Sequence, residues 1–234
     1  MQSIIGSLRD WVPAIVGITC GVIIIVGGPN EWSVARAPQV GEIVVLDDFE
    51  LYGNSRFPLK WAGASSDAQK VYRIETEPGN HFLRARADNT AAQINLEHRF
   101  NPKKFQNLQW RWHVRGLPVA GKEKIDEPYH GAAQVYVIFD HGYWPRVIHF
   151  IWSASLPHGT RFTNPLYDRG RTVVLRSGPA NGATWLKEKV NFYAEYKKFF
   201  GNEPGRVQGI GILTSSDSTK SLVIADYDDL ILLP

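Results

Sequence analysis

Leu108-Gln109-Trp110-Arg111-Trp112-His113-Val114-Arg115, Gln134-Val135-Tyr136-Val137-Ile138-Phe139-Asp140 and Arg146-Val147-Ile148-His149-Phe150-Ile151-Trp152 are three runs dense in β-branched and aromatic residues, broken by stretches that carry Gly and Pro. Such runs are strand signals. In the first, period-2 alternation sets Trp110, Trp112 and Val114 on one side and Gln109, Arg111, His113 and Arg115 on the other, so one face is buried and the other wet. The second and third alternate less cleanly, which predicts deeper burial. Together the three runs read as the centre of an antiparallel sheet.

Working outward, further strands are predicted over 43–49, 70–76, 82–87, 92–98, 172–177, 184–192, 206–214 and 222–233. Two connections, Glu77-Pro78-Gly79-Asn80 and Asp88-Asn89-Thr90, are turn-like. Only residues 193–200 read as a short helix, closed by Gly201. About ten strands without alternating helices predict an all-β, jelly-roll-like two-sheet sandwich. The closing segment, which holds Asp226, Asp228 and Asp229, is expected to pair with the opening strand around Asp47-Asp48-Phe49.

With 234 residues the chain holds one well-cored domain and a short appendage. The appendage is N-terminal: residues 11–28 carry no charged side chain. As a helix they would span ~27 Å, close to a ~30 Å hydrocarbon core. The Ala35-Arg36-Ala37 tripeptide is a poor cleavage site, because Pro38 follows it and it lies well past the apolar run. The chain is therefore divided into a transmembrane anchor (1–28), a tether (29–41) and a β-sandwich (42–234). A single-pass cell-membrane protein is expected, with its C-terminal domain on the extracytoplasmic, periplasmic side and its bilayer contact through residues 11–28.

A net charge of +3 is too small for a nucleic-acid footprint, which needs clustered Lys and Arg. Cys20 is the single cysteine, so an intrachain disulfide and a cysteine metal site are excluded. The chain has no His-Glu-x-x-His, no Gly-x-Ser-x-Gly elbow, no phosphate-cradling Gly loop and no clustered strand carboxylates of glycosidase type. No catalytic residue, metal or cofactor is assigned; a glycoside hydrolase is the enzyme reading set aside.

The candidate binding residues are Arg111 and His113, which share a strand face, with Tyr136 and His149 expected on neighbouring strands of the same sheet. Polar and aromatic side chains arranged like this hold sugars by stacking and directed hydrogen bonds. Tyr143 and Trp144 fall at an expected hairpin tip, where aromatics serve as partner contacts. Asp47, Asp48, Asp226, Asp228 and Asp229 are read as structural, blunting strand edges or pairing with arginine, rather than as a Ca²⁺ site.

The order Asp47-Asp48-Phe49, Phe82-Leu83-Arg84-Ala85, 108–112, 135–140, Ile151-Trp152, Trp185, Phe200-Gly201, Gly209-Ile210-Gly211-Ile212 and Tyr227-Asp228-Asp229 resembles an uncharacterised bacterial family of exported β-sandwich proteins, over about residues 42–233. The resemblance implies a sandwich related in shape to carbohydrate-binding modules, and no reaction. The family's acidic positions are thinned here: the loop Thr214-Ser215-Ser216-Asp217-Ser218-Thr219 keeps one carboxylate. The functional expectation is a non-catalytic, membrane-anchored accessory subunit that docks on and stabilises a larger membrane complex, for example an energy-transducing one. The alternative is a membrane-anchored carbohydrate-binding module for envelope glycans.

Overall fold

A computed structural model describes residues 41–53, 57–117, 131–165, 167–179, 184–217 and 219–234. The expected anchor, and the tether up to residue 40, lie outside the described residues. Among the described residues no helix is long and apolar enough to cross a membrane.

The described chain forms, in order, β1 (Val44–Asp47), a 3₁₀ turn (Glu50–Tyr52), β2 (Ala62–Gly63), α1 (Ala68–Val71), β3 (Tyr72–Glu77), β4 (Asn80–Asp88), β5 (Ala91–Phe100) and β6 (Asn107–Gly116). It continues with β7 (Ala133–Phe139), β8 (Arg146–Ser153), β9 (Arg161–Thr163), β10 (Gly170–Ser177), β11 (Leu186–Asn191), α2 (Phe192–Phe200), β12 (Val207–Ser215) and β13 (Leu222–Leu233). The first sheet has the order β11-β6-β13-β4-β3, with β1 also on β13; the second runs β2-β5-β12-β7-β8-β10-β9. The all-β, two-sheet sandwich is therefore observed, and the opening strand pairs with the closing one as expected, Val44 opposite Leu232 and Val45 opposite Ile231.

One expectation is corrected. The three aromatic runs do not share a sheet: β6 lies in the first, whereas β7 and β8 pair in the second. They meet instead across the core. Trp110 and Trp112 are fully buried, edge-on to each other at 5.3 Å, and they reach Phe150 at 6.1 Å and Trp152 at 5.6 Å on β8. Alternation alone identifies the inward face of each strand, but it does not say which strands share a sheet.

A second departure is the β8–β10 pair, which is parallel. Parallel neighbours need a crossover, and the chain from 154 to 169 supplies it, dropping β9 onto the far side of β10. That crossover carries Leu156 and Phe162 over the outward-facing Ile151 and Val174, a small apolar cluster apart from the main core.

The predicted helix is α2, one residue longer at its start. The Asn191 side chain accepts from Ala194 N–H at its N-terminus, and Gly201 closes it with φ 70°, the left-handed conformation that glycine adopts without strain.

Candidate functional site

The outer face of the second sheet is built from cross-strand rows. Ala62, Asn95, Gly211, Tyr136, His149, Thr172 and Phe162 are successive partners across all seven strands. The next row is Gln93, Leu213, Gln134, Ile151 and Val174. At one end of both rows the crossover forms a wall; the rest of the floor is polar.

Gly211 determines how that floor is laid. A Cβ there would fall 2.0 Å from the Tyr136 ring, so only glycine lets the ring lie down across β12. Lying down, Tyr136 reaches β5 and donates its hydroxyl proton to Asn95 Oδ1 at 2.7 Å, while its ring packs on His149 with centroids 4.9 Å apart. Burial raises the Tyr136 hydroxyl well above its ordinary pKa. The phenol is a neutral donor.

Burial also holds His149 down, to about 4, so the ring is neutral at physiological pH. Its Nδ1 lies 3.0 Å from Gln134 Oε1. A carbonyl oxygen only accepts, so Nδ1–H donates and Nε2 keeps the lone pair. Above this pair lies a cavity of about 150 Å³ whose lining includes Gln93, Gln134, His149, Asn164, Tyr167 and Thr172. On one side it adjoins a depression of about 490 Å³ that shares Gln93 and Leu213 with it. Past Asn95, on the other side of Tyr136, lies a third, of about 560 Å³. Charged side chains enter only the two outer depressions, as Asp217 in one and Lys60, Glu97 and Arg99 in the other. The arrangement offers amides, hydroxyls and a neutral imidazole along a shallow groove. Such groups bind uncharged hydroxyl-bearing ligands by paired donation and acceptance.

The four candidate binding residues are thus divided. Tyr136 and His149 are neighbours in this groove, whereas Arg111 and His113 lie on β6, on the outer face of the opposite sheet. The expected single row is corrected, for the same reason that the three runs were misgrouped.

On that opposite face β13 presents Asp226 and Asp228 to arginines of its neighbours. Arg84 donates to both oxygens of Asp226, Nε to Oδ1 at 2.7 Å and Nη2 to Oδ2 at 2.9 Å. Arg115 Nε adds 2.6 Å to Oδ2. Asp228 takes Arg111 Nη2 at 2.6 Å and Asn80 Nδ2 at 3.0 Å; burial nevertheless pushes its carboxyl up to about 6. Trp185 covers the group, with the Arg111 guanidinium 4.8 Å from its ring centre and its Nε1–H donated to Glu77 at 3.1 Å. His113 is buried beside Trp185, and burial, then the Arg115 charge, lower its pKa. Both oxygens of Asp226 and of Asp228 are directed at an arginine, asparagine or backbone N–H, which suits cross-strand locking better than acid–base chemistry.

Of the other aspartates, Asp47 is buried and accepts from Trp61 Nε1 at 2.8 Å and from the Tyr52 hydroxyl. Among the described residues no three metal-ligating side chains gather. Tyr143 and Trp144 do stand at the β7–β8 tip, 88% and 57% exposed, as an edge-on pair at 5.2 Å.

Sequence reasoning missed Gln93, Asn95, Gln134, Asn164 and Thr172. A usable signal was present in Gly209-Ile210-Gly211-Ile212, where glycine at alternate positions strips one face of a strand and leaves room for a neighbour's side chain.

The family described as "Protein of unknown function (DUF3047)" matches residues 60–231. No curated protein matches the chain. Among solved structures, the family 11 carbohydrate-binding module of the cellulosomal cellulase Lic26A-Cel5E of Clostridium thermocellum is similar at 10% identity and TM-score 0.42, over 82% of this chain and 95% of that one. CBM27-1 of Caldicellulosiruptor saccharolyticus, in complex with mannohexaose, is similar at 14% and 0.41, over 82% and 97%. The CBM22-1 xylan-binding domain of Paenibacillus barcinonensis Xyn10C is similar at 13% and 0.37, over 84% and 97%. At these scores no residue and no ligand is carried over from them.

Proposed function

The chain belongs to the DUF3047 family of proteins of unknown function, and since membership brings no activity with it, we propose one from its own geometry: non-catalytic binding of a neutral oligosaccharide along the outer face of the second sheet. The observation that carries this is the central cavity, whose lining has amides, hydroxyls and neutral His149 but no charged side chain. A charged ligand would find no counter-ion there, and an apolar one would cover the polar groups of Gln93 and Thr172 while offering them no hydrogen bond. A sugar ring satisfies them. At about 150 Å³ the cavity is small beside the ~300–1,000 Å³ of typical ligand pockets. The flanking depressions lie along β5, one at residues 91–93 and the other at residues 95–99, the line an extended chain of rings would follow.

Calorimetric titration against a panel of neutral and acidic oligosaccharides tests the reading. Neutral chains should bind, and Gln93→Ala and Gln134→Ala should each weaken binding by about tenfold, ~1.4 kcal/mol, while Arg111→Gln on the opposite face should leave affinity unchanged. Binding confined to acidic sugars, or binding indifferent to both glutamines, would remove the groove from consideration.

A second reading makes the domain the extracytoplasmic part of an accessory subunit, held by an anchor over residues 11–28 and docked on a larger membrane complex. The exposed Tyr143–Trp144 pair favours it, because large aromatics left in water are costly unless something covers them. Co-purification from mild detergent, with loss of the partner on changing both residues to Ser, is the outcome it requires.

A further inference from the structure

The apolar side chains left in water are not scattered over the sandwich. Among the described residues Ile43, Val45, Leu51, Leu59, Tyr143, Trp144 and Leu222 are the large exposed ones. Leu222 begins β13, at the end where it faces Asp88 of β4. The others belong to the opposite end or to the segment bordering it. β1 starts there beside Leu232, and Tyr143 and Trp144 cap β7 and β8. Leu51 follows Glu50, whose carboxylate holds His81 near the start of β4. Leu59 precedes Lys60, which lines a depression together with Gln208 near the start of β12.

The same end is cationic where the tip emerges. Arg146, Arg169 and Arg171 stand around it, and their bonds go to neutral oxygens: Arg146 to the Tyr196 hydroxyl at 2.8 Å and Asn202 at 3.1 Å, Arg169 to Trp144 O at 3.4 Å, Arg171 to Gly170 O at 3.0 Å. None of the three is ion-paired with a carboxylate among the described residues. The cationic field is felt at the tip, where burial and then Arg146 and Arg169 lower the pKa of His141. This is also where the chain enters the domain: Gly41 lies against Pro234, and Asn107 Nδ2 donates to Pro234 O at 2.5 Å. The uncharged run of residues 11–28 ends only thirteen positions before Gly41.

We propose that this end of the sandwich rests on an anionic phospholipid surface, with Trp144 and Tyr143 inserted at headgroup depth and Arg169 and Arg171 facing lipid phosphates. Tryptophan and tyrosine favour that depth because one part of the ring is apolar and the other hydrogen-bonds, and basic residues near an anionic leaflet add to the attraction. A protein partner would also cover aromatics, but it would not account for three arginines gathered where the chain enters the domain, held by Phe200 stacking and by the field of Asp168 rather than by salt bridges among the described residues. The groove on the second sheet plays no part in the inference.

The test uses the full chain reconstituted into vesicles with brominated acyl chains, of phosphatidylcholine alone or mixed with phosphatidylglycerol. Subtracting the emission of Trp144→Phe from that of the wild type isolates Trp144 from the other tryptophans. Quenching of that difference signal is expected with phosphatidylglycerol present, to be largely lost at high salt and in the Arg169→Gln, Arg171→Gln double variant. Absence of quenching in both vesicle types, or equal quenching in both, overturns the proposal. So does a Trp144 shift seen only in native membranes with their proteins, which would assign the surface to a protein partner.

Discussion

His149 is a titratable side chain placed where it cannot easily titrate. Burial sets its folded pKa at about 4, against ~6.5 for an exposed imidazole. Between those values the unfolded chain binds a proton that the folded chain refuses, so the contribution of His149 to stability is complete above pH 6.5 and is lost as pH falls towards 4. The loss reaches about 3 kcal/mol if the shift is fully expressed, at 1.36 kcal/mol per pKa unit. Asp228, raised to about 6, titrates with the opposite sign, its stabilising effect present at low pH and lost as pH rises through 6, so the wild-type profile alone is blunted. The comparison that isolates His149 is a set of urea melts from pH 7 to pH 4 on the wild type and His149→Asn. The gap between them should change by about 2–3 kcal/mol across that range, and a constant gap would show that the ring is hydrated in the folded state. The depressed pKa was not legible in the sequence, where His149 read as a candidate sugar-binding residue on a strand next to that of Tyr136. Its neutrality comes from burial, in which the Tyr136 ring that lies over Gly211 takes part, and Tyr136 and Gly211 stand 75 residues apart in the chain.

At the scale of elements, the Trp110–Trp112 strand was the most legible part of the molecule. A period-2 pattern with tryptophan at both inward positions leaves one sensible face for the core, and both side chains are fully buried. Trp112→Ala should cost about 3–5 kcal/mol, as large aromatic truncations in cores do, because Trp112 bridges the sheets between Trp110 and Trp152 and its Nε1–H is donated to Glu188 at 3.1 Å. A midpoint change of less than a third of that in a urea melt would mean the core closes over the gap. α2 was nearly as plain, because Gly201 is a chemically specific stop, although its N-terminal cap, Asn191, fell inside the strand expected over 184–192. What could not be read was the sheet to which each strand belongs. A strand shows its two faces in its own residues, but its neighbours are chosen by loops and crossovers whose direction no periodicity encodes. Arg111 and His113 were accordingly grouped with Tyr136 and His149, although the thickness of the sandwich separates them. The parallel β8–β10 pair was hidden for the same reason, and with it the crossover that walls the groove.

On the scale of the whole molecule, the two faces divide the work. One is closed by its own ion pairs and Trp185; the other is left polar and open, and among the described residues the large exposed apolar side chains other than Leu222 belong to one end or the segment bordering it. A consequence lies in β13. It occupies the middle of the first sheet, between β6 and β4, and also holds β1, yet it comes last of all the strands in the domain. During synthesis β3, β4, β6 and β11 must wait, unable to become one sheet, until the final segment emerges and is inserted between them. Closure is thus a late, long-range event of the kind that slows folding. A chain ending before residue 222 should remain protease-sensitive throughout the first sheet. By contrast, because Gly41 and Pro234 touch, a circular permutant that joins them and opens at Gly79 should match the original in equilibrium urea unfolding to within about 1 kcal/mol. In that permutant β1 and β3 would follow β13 instead of preceding it, whereas β4, β6 and β11 would still wait for it, and stopped-flow refolding of the two chains would show how much of the folding time the wait of β1 and β3 accounts for.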